Sequence, residues 1–445
     1  MDKFVITGPS VLRGDVTSAG AKNVALKAIV VSLLTEETVT LHNMPNIRDV
    51  QLMLDVVRSL GAVATFEGNT VIIEDGKSRS TTVPLEIGAR LRTSSMVLGP
   101  MLSRYGRAMI PNPGGCRIGA RPIDRHVDGL KSMGATIDYN STDGFFHAEA
   151  EHLHGAEITF EKNTHTGTET LILAAVLADG KTVLHNAAEE VEIDDLIALL
   201  SSMGADIKRT AHREITINGV KKLHGTEYTI MSDRNEEVTF AIAAVVSKGN
   251  IVVHHSERKH LSEFLDVFQK VGGKFKVIDD TTTEYYYDGP LTAIDVTTAQ
   301  HPGFMTDWQA PWAILMTQAT GASTIHETVF ENRFSYVEEL KKMGANIEYY
   351  DPVVENPKEF YNFNWTDKKE DTHQAIKILG PTQLHNAITS MSDLRAGATV
   401  VLAAIIADGQ SHIHGVEQID RGYEHIDTRL QSLGANITRV EVDTL

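Results

Sequence analysis

One loop concentrates the residue types that could support acid–base or nucleophilic chemistry. Residues 112–122 read NPGGCRIGARP and include Cys116, the only cysteine of the chain, with Arg117 and Arg121 beside it. Three glycines and two prolines in this stretch exclude a helix or a central strand and predict a loop. Neighbouring guanidinium groups favour the thiolate and attract anions, so the loop predicts a reactive thiol next to an anion site.

Local evidence alone leaves a second interpretation of Cys116 open. A lone cysteine is more often a small buried apolar residue than a catalyst. The nineteen histidines show no spacing typical of zinc ligands, and no phosphate loop ending in Gly-Lys-Ser/Thr or dinucleotide fingerprint is present. The sequence therefore predicts no metal and no cofactor, and locally placed cations must hold any phosphate.

A recurring signal shows which elements must position this loop. An apolar residue, a glycine and then Ala or Gly precede a strand-like run in six places, at Gly61, Gly134, Gly204, Gly272, Gly344 and Gly434. Glycine suits the left-handed position after a helix. An Ala-rich helical segment and a further alternating run lie upstream, as in 174–186 and 403–414. Each unit is therefore predicted to run strand, helix, strand, helix and closing hairpin.

Length and composition set the frame for these units. A chain of 445 residues exceeds what one core accommodates, so six units over two cores predict three in each domain. The net charge of -18 argues against sequence-independent binding to nucleic acid. A signal-peptide pattern, a membrane-spanning apolar stretch and a second cysteine are all missing, which predicts a cytoplasmic protein.

The last unit contains a longer stretch, residues 349–384, rich in proline, charge and aromatic residues. We interpret it as an elongated hairpin or surface insertion. Its aromatic residues Phe360, Tyr361, Phe363 and Trp365 could form a contact surface, although local packing is favoured.

Several motifs along nearly the whole chain together resemble the enolpyruvyl transferases that act on UDP-N-acetylglucosamine. They are GAKN at 20–23, the Cys116 loop followed by Asp124 and His126, HPGFMTD at 301–307, ETVFENR at 327–333, SDLRA at 392–396 and IDRGYE at 419–424. The resemblance implies an α+β fold: a two-domain inside-out α/β barrel like that of EPSP synthase, with six βαβαββ units. It places domain I at 1–21 plus 232–445, domain II with the Cys116 loop at 22–231, and the active site in the cleft between them.

The resemblance also implies the reaction, which is transfer of enolpyruvate from phosphoenolpyruvate to the 3-hydroxyl of UDP-N-acetylglucosamine in peptidoglycan precursor synthesis. Both substrates are small molecules, and neither nucleic acid nor a membrane is involved. The residues implied for phosphoenolpyruvate are Lys22, Asn23, Arg92, Arg121, Arg395 and Arg421. Those implied for the UDP-sugar are Asn23, Arg92, Arg121, Pro122, Ile123, Asp124, Arg125, Lys162, Thr164, Asp307 and Val329. The implied catalytic residues are Cys116, Asp307, Lys22 and Arg421.

Each implied role has a purely structural alternative. Lys22 could be an ordinary first-turn helix lysine, and Asp307 could cap the segment that follows it. Asp393 and Arg395 could form a surface ion pair. The acidic Glu190 and Glu192 are expected to form ion pairs with arginines.

Two segments depart from the family pattern. Residues 163–169 read NTHTGTE, where relatives have a small-residue segment that touches the uridine diphosphate, and residues 233–238 read DRNEEV. These changes leave two alternatives open. One is an enolpyruvyl transferase for another sugar nucleotide or for shikimate 3-phosphate, and the other is a non-catalytic protein that binds a sugar nucleotide.

Overall fold

The computed structural model describes residues 2–75, 80–114, 118–119 and 122–441. The chain divides into two compact units, each with its own hydrophobic core. Unit 1 comprises the described residues of Met1–Ala19, Cys116–Arg121 and Ser232–Leu445, and unit 2 those of Gly20–Gly115 and Pro122–Met231.

The described part of each unit contains three sheets. In spatial order, those of unit 1 are Ile388–Ser390, Gly409–His414, Asp2–Gly8 and Asn436–Glu441; Lys274–Asp279, Thr282–Tyr286, Asn250–His254 and Arg13–Thr17; and Val296–Thr297, Gly321–His326, Ala375–Gly380 and Asn346–Tyr350. Those of unit 2 are Thr226–Thr229, Val39–His42, Thr70–Glu74 and Val63–Glu67; Asp206–Ala211, Glu214–Asn218, Lys181–His185 and Glu157–Thr159; and Arg107–Pro111, Phe145–Glu149 and Thr136–Asn140.

Two kinds of helix accompany the sheets. Central helices are apolar on nearly every side and therefore buried: Lys22–Val31, Leu98–Tyr105 with the 3-10 turn Arg92–Val97 before it, His165–Ala175, Arg234–Val246, Gln309–Thr317 and Leu394–Ile406. Outer helices bury one face only: Arg48–Ser59, Asp124–Ser132, Val191–Ser202, Ser262–Val271, Val337–Lys342 and Ile426–Ser432. Shorter helical segments are Ser32–Leu34, Leu85–Gly88, Arg258–His260, Thr306–Trp308, Pro357–Phe360, Trp365–Asp367 and Val416–Ile419.

The six repeat glycines all follow an outer helix and adopt a positive φ, between 93° and 110°. L-residues with a Cβ atom rarely adopt this conformation, which explains why glycine recurs at this point of the repeat. Each glycine leads into the strand that follows the outer helix. The predicted order of strand, helix, strand, helix and hairpin is therefore confirmed, and with it the α+β fold of six units.

Three of the sheets combine strands that are distant in sequence. Strand Asp2–Gly8 lies antiparallel between Gly409–His414 and Asn436–Glu441, with Phe4 opposite Ile413. Strand Arg13–Thr17 runs parallel to Asn250–His254. In unit 2, Thr226–Thr229 runs parallel to Val39–His42. The repeat is thus completed in both units by strands from the far end of the unit's sequence.

The longer stretch of the last unit connects the antiparallel strands Asn346–Tyr350 and Ala375–Gly380, so it elongates a hairpin. Tyr361 is buried and stacks on Trp365, with ring centroids 4.8 Å apart, and Phe360 stacks on His326. The aromatic residues thus pack mainly on one another, as the sequence favoured. Among the described residues, no helix is both long enough and apolar enough to cross a bilayer.

Candidate active site

Several of the implied site residues lie at the N-terminal ends of central helices. In unit 2, Lys22 and Asn23 begin one such helix, Arg92 begins the second with its 3-10 turn, and Thr164 caps the third. In unit 1, Asp307 and Arg395 occupy the equivalent positions. Unsatisfied N–H groups and the helix dipole make these ends favourable for anions. This arrangement provides a route to anion binding in a chain with a net charge of -18.

In unit 2, Lys22 is held by a carboxylate that the sequence did not single out. Its Nζ lies 2.8 Å from Oδ2 of Asp49, and the two side chains are only 11% and 3% exposed. A buried ion pair fixes the ammonium group more firmly than an ordinary surface lysine would be fixed. Arg92 Nη1 donates to the carbonyl oxygen of Pro113 at 3.2 Å, in the described part of the segment that leads to Cys116.

The 163–169 segment, which departs from the family pattern, forms a regular helix start. Thr164 Oγ1 accepts from the Gly167 N–H at 3.2 Å and so caps helix His165–Ala175. A Cβ atom at Gly167 would lie 2.5 Å from Cγ2 of Thr164, so glycine is needed for this cap. Lys162 and Thr164 are half-buried, and buried Asn163 donates to the Asn186 carbonyl oxygen at 3.3 Å.

In unit 1, Asp307 lies between two guanidinium groups. Arg333 Nη2 donates to its Oδ1, and Arg395 Nη2 lies 3.9 Å from its Oδ2. Asp307 lies within the 3-10 segment Thr306–Trp308, directly before helix Gln309–Thr317. Its carboxylate therefore has cationic partners in addition to its place near a helix start.

Next to Asp307, Glu327 organises the loop that carries Val329. Its Oε1 accepts from the N–H groups of Val329 at 2.7 Å and Phe330 at 3.1 Å, and its Oε2 accepts from Thr306 Oγ1 at 2.8 Å. Burial raises the pKa of Glu327, although these hydrogen bonds oppose the shift. Glu327 therefore ties the half-buried Val329 to the helix start at Thr306.

Arg395 is buried and held from two sides. Its Nη1 donates to Tyr423 Oη at 2.8 Å, and Tyr423 Oη lies 2.8 Å from Thr239 Oγ1. Burial alone would lower the pKa of Arg395, but Tyr423 and Asp307 raise it above its ordinary value, so the guanidinium group remains charged. Tyr423 follows the half-buried Arg421 by two residues, so this contact also anchors the IDRGYE segment.

Asp393 is an N-cap and not part of a surface ion pair. Its Oδ1 accepts from the N–H groups of Arg395 at 2.9 Å and Ala396 at 3.1 Å, and its Oδ2 accepts from Ser335 Oγ at 2.9 Å. Only 4% of Asp393 is exposed. The alternative of a surface ion pair is therefore wrong, and Asp393 orients the helix start that carries Arg395.

The implied residues of the Cys116 loop and of the helix that follows it are described only in part. Cys116 and Arg121 lie outside the described residues. Pro122 and Asp124 are exposed and Arg125 is half-buried, at the start of helix Asp124–Ser132. The side chain of Ile123 is 3% exposed and belongs to the core of unit 2. A ligand could therefore reach the backbone of Ile123 more readily than its side chain.

The chain is similar along nearly its whole length to proteins of one family. The sequence profile of EPSP synthase (3-phosphoshikimate 1-carboxyvinyltransferase) matches residues 6–430. A UDP-N-acetylglucosamine 1-carboxyvinyltransferase from Acidobacterium capsulatum is 42% identical over 444 residues, which cover 99% of this chain and 96% of that protein. Its namesake from Acinetobacter baylyi is 39% identical over 441 residues, 99% of this chain and 100% of that protein. The chain belongs to the UDP-N-acetylglucosamine 1-carboxyvinyltransferase family.

Solved structures show the same fold as this transferase. The enolpyruvyl transferase NikO from Streptomyces tendae superimposes with a TM-score of 0.85 at 22% identity and covers 99% of both chains. EPSP synthase from Acinetobacter baumannii gives a TM-score of 0.75 at 18% identity, covering 99% of this chain and 100% of that one. The two-domain architecture implied by the resemblance is therefore confirmed.

Several buried residues that contact the implied site residues had no role predicted from the sequence. Asp49, Arg333 and Glu327 are buried and contact Lys22, Asp307 and the Val329 N–H, respectively. Arg333 and Glu327 lie within a recognised motif, which is a signal that could have identified them. Asp49 carries no such signal beyond its place in the first turn of an outer helix.

Proposed function

We propose that this transferase moves enolpyruvate from phosphoenolpyruvate to the 3-hydroxyl of UDP-N-acetylglucosamine and releases phosphate. The observation that carries the proposal is the environment of Asp307, a carboxylate held by Arg333 and close to Arg395 at the start of a buried helix. Family membership supports the same reaction, because the relatives that cover nearly the whole chain carry the name of this activity. A cytoplasmic location belongs to the same proposal.

The donor is the more highly charged substrate and needs fixed cations. We assign its phosphate and carboxylate groups to Lys22, Arg121, Arg395 and Arg421, with Asn23 and Arg92 nearby in the same role. Planar guanidinium forks pair two oxygens at once, which suits both groups. The contacts of Lys22 with Asp49 and of Arg395 with Tyr423 support this assignment, because they hold both cations in place before substrate arrives.

Addition and elimination would follow from these positions. Asp307 accepts the proton of the sugar hydroxyl as its oxygen attacks C2 of phosphoenolpyruvate, and Cys116 donates a proton to C3. Loss of phosphate from C2 together with a proton from C3 restores the double bond and leaves an enol ether on the sugar. General acid–base groups of this kind contribute about 10²- to 10⁴-fold each.

We assign the acceptor to the residues that the family resemblance implies for the UDP-sugar. Lys162 and Thr164 lie at the start of helix His165–Ala175, where an anionic diphosphate would be favoured. Pro122 to Arg125, Asp307 and Val329 complete the assignment. The altered 233–238 segment has partners within unit 1: Arg429 Nη2 donates to Glu236 Oε2 at 2.9 Å, and Ser256 Oγ donates to Glu237 Oε1 at 2.6 Å.

The test is phosphate release from phosphoenolpyruvate in the presence of different acceptors. UDP-N-acetylglucosamine should support turnover, whereas shikimate 3-phosphate should not. Turnover with a different UDP-sugar alone would favour the alternative of a diverged transferase. Absence of turnover with every acceptor, in a protein that binds UDP-N-acetylglucosamine, would favour the non-catalytic alternative.

The role of Cys116 has its own test. Cys116→Ala should reduce turnover strongly and leave thermal stability unchanged, because a loop thiol adds little to a core. The epoxide antibiotic fosfomycin should add its mass to the wild-type protein in the presence of sugar nucleotide and not to the variant. Unfolding of the variant would instead support the interpretation of Cys116 as a buried core residue.

A further inference from the structure

Three charged side chains, two of them buried and the third 24% exposed, join two central helices of unit 2. Lys27 Nζ lies 3.1 Å from Glu169 Oε1, and the side chains are 3% and 0% exposed. His165 Nε2 lies 3.1 Å from the same oxygen, one helical turn before Glu169. Lys27 belongs to helix Lys22–Val31, whereas His165 and Glu169 belong to helix His165–Ala175.

Lys27 and Glu169 lie about equally far from the starts of their helices. Lys27 lies five residues after Lys22, and Glu169 lies five residues after Thr164. Each partner is therefore little more than one turn inside a helix whose first residues are assigned to a substrate. An ion pair at this depth fixes the two helix starts relative to each other.

Stabilisation of the fold alone does not explain the buried ion pair of Lys27 with Glu169. Removing two charges from water is unfavourable, and apolar residues of similar size often stabilise a core equally well or better. Lys27 Nζ and His165 Nε2 lie at the same distance from one oxygen of Glu169, so the two cationic groups compete for a single carboxylate. Such an arrangement orders polar groups more than it stabilises the fold.

We propose that Glu169 is a positioning residue that orients His165 at the start of helix His165–Ala175, where the imidazolium favours the anionic sugar-nucleotide acceptor, and that Lys27 ties the Glu169 carboxylate to helix Lys22–Val31. This inference rests on the proposed function, since it requires that acceptor. The charged groups that face His165 are Glu169 on its own helix, Lys27, and Glu190 directly before helix Val191–Ser202. The neighbouring Thr166 Oγ1 lies 3.0 Å from Nε2 of His126, which belongs to the outer helix Asp124–Ser132.

The electrostatic environment agrees with this geometry. Burial alone would lower the pKa of His165, but the carboxylates of Glu169 and Glu190 outweigh burial and the opposing charge of Lys27. The pKa of His165 is therefore raised above its ordinary value. The imidazolium form is retained to a higher pH than in an isolated histidine, and it is lost as the pH rises through the raised pKa.

The experiment compares the wild type with the double variant Lys27→Met/Glu169→Met, which keeps side-chain length and helix propensity. Thermal stability should be unchanged or higher. The KM for UDP-N-acetylglucosamine at pH 7 should rise by about fivefold or more, in line with the loss of one charge-assisted contact, while kcat changes little. The rise of this KM with pH should also begin at a lower pH than in the wild type.

A matched control removes an exposed ion pair of the same length, Lys341 to Glu338 at 3.1 Å, as Lys341→Met/Glu338→Met. It should leave both KM and its pH profile unchanged. If Lys27→Met/Glu169→Met is at least as stable as the wild type and also keeps the wild-type KM and pH profile, the positioning role is contradicted. If that variant fails to fold, the single variant His165→Gln must show the same rise in KM, and a wild-type KM there overturns the inference. A wild type without turnover would instead contradict the proposed function.

Discussion

At the residue scale, the proposed reaction depends most on the carboxylate of Asp307. The motif around it is legible in the sequence, because HPGFMTD is a continuous segment. The pairing of Asp307 with Arg333 and Arg395 is not legible, because these residues lie 26 and 88 positions further along the chain. Pairing over such distances depends on how the helix starts pack together, which a sequence pattern does not contain. The same holds for Lys22 and Asp49, which come from two different helices.

Asp307→Asn should reduce kcat by about 10²- to 10⁴-fold, because an amide cannot accept the proton of the sugar hydroxyl. The KM for phosphoenolpyruvate should change far less. Steady-state kinetics on both substrates provide the measurement. The exposed Asp280→Asn is the control in the same unit and should retain wild-type kinetics. A kcat of Asp307→Asn within a fewfold of wild type would show that another group accepts the proton.

At the element scale, the ends of the outer helices could be predicted from the sequence, whereas the caps at the helix starts could not. The glycine after each outer helix was evident from its sixfold repetition, and its positive φ follows from backbone sterics alone. The caps at the helix starts were harder to predict. Asp393 is compatible with both a cap and an ion pair in sequence, and only the contacts of its two oxygens distinguish them.

Gly204→Ala tests the repeat directly. Gly204 has a φ of 96°, and an added Cβ would lie 3.3 Å from the ring of His224, so we expect a loss of about 1–2 kcal/mol in the free energy of unfolding. Chemical denaturation measures the change. Ser201→Ala, on the exposed side of the same outer helix, should be neutral or slightly stabilising. Equal stability of Gly204→Ala and wild type would contradict the left-handed assignment.

Asp393→Ala removes the cap of helix Leu394–Ile406. The expected cost is about 1–2 kcal/mol in the free energy of unfolding, because two N–H groups lose their acceptor. Asp393→Asn is the matched variant and should lose much less, since asparagine is an equally good cap. Similar losses for both variants would indicate that the negative charge, and not the cap, is what the helix requires.

At the scale of the whole molecule, the count of six units and two cores was predictable, whereas the origin of the closing strands was not. A repeat signal marks each helix end but does not say which strand completes a sheet. In three sheets that strand comes from a distant part of the chain. Burial of Phe4 and Val16 from the first segment in the core of unit 1 makes this exchange favourable.

Two separate cores predict unfolding that depends on the probe. All three tryptophans, Trp308, Trp312 and Trp365, lie in unit 1, so their fluorescence reports on that unit. Leu171→Ala in the core of unit 2 should cost about 2–5 kcal/mol and shift the circular-dichroism transition more than the fluorescence transition. Leu315→Ala in unit 1 should shift the fluorescence transition instead. Equal shifts of both signals in both variants would show a single cooperative transition.

The most direct test of the central claim is the identity of the reaction product. Purified protein is incubated with phosphoenolpyruvate and UDP-N-acetylglucosamine, and the sugar nucleotides are analysed by mass spectrometry and by proton NMR. We expect one new UDP-sugar that carries an enolpyruvyl ether on the 3-oxygen, formed in equal amount to the phosphate released. An unchanged UDP-N-acetylglucosamine pool, or phosphate released without the enol ether, would contradict the central claim.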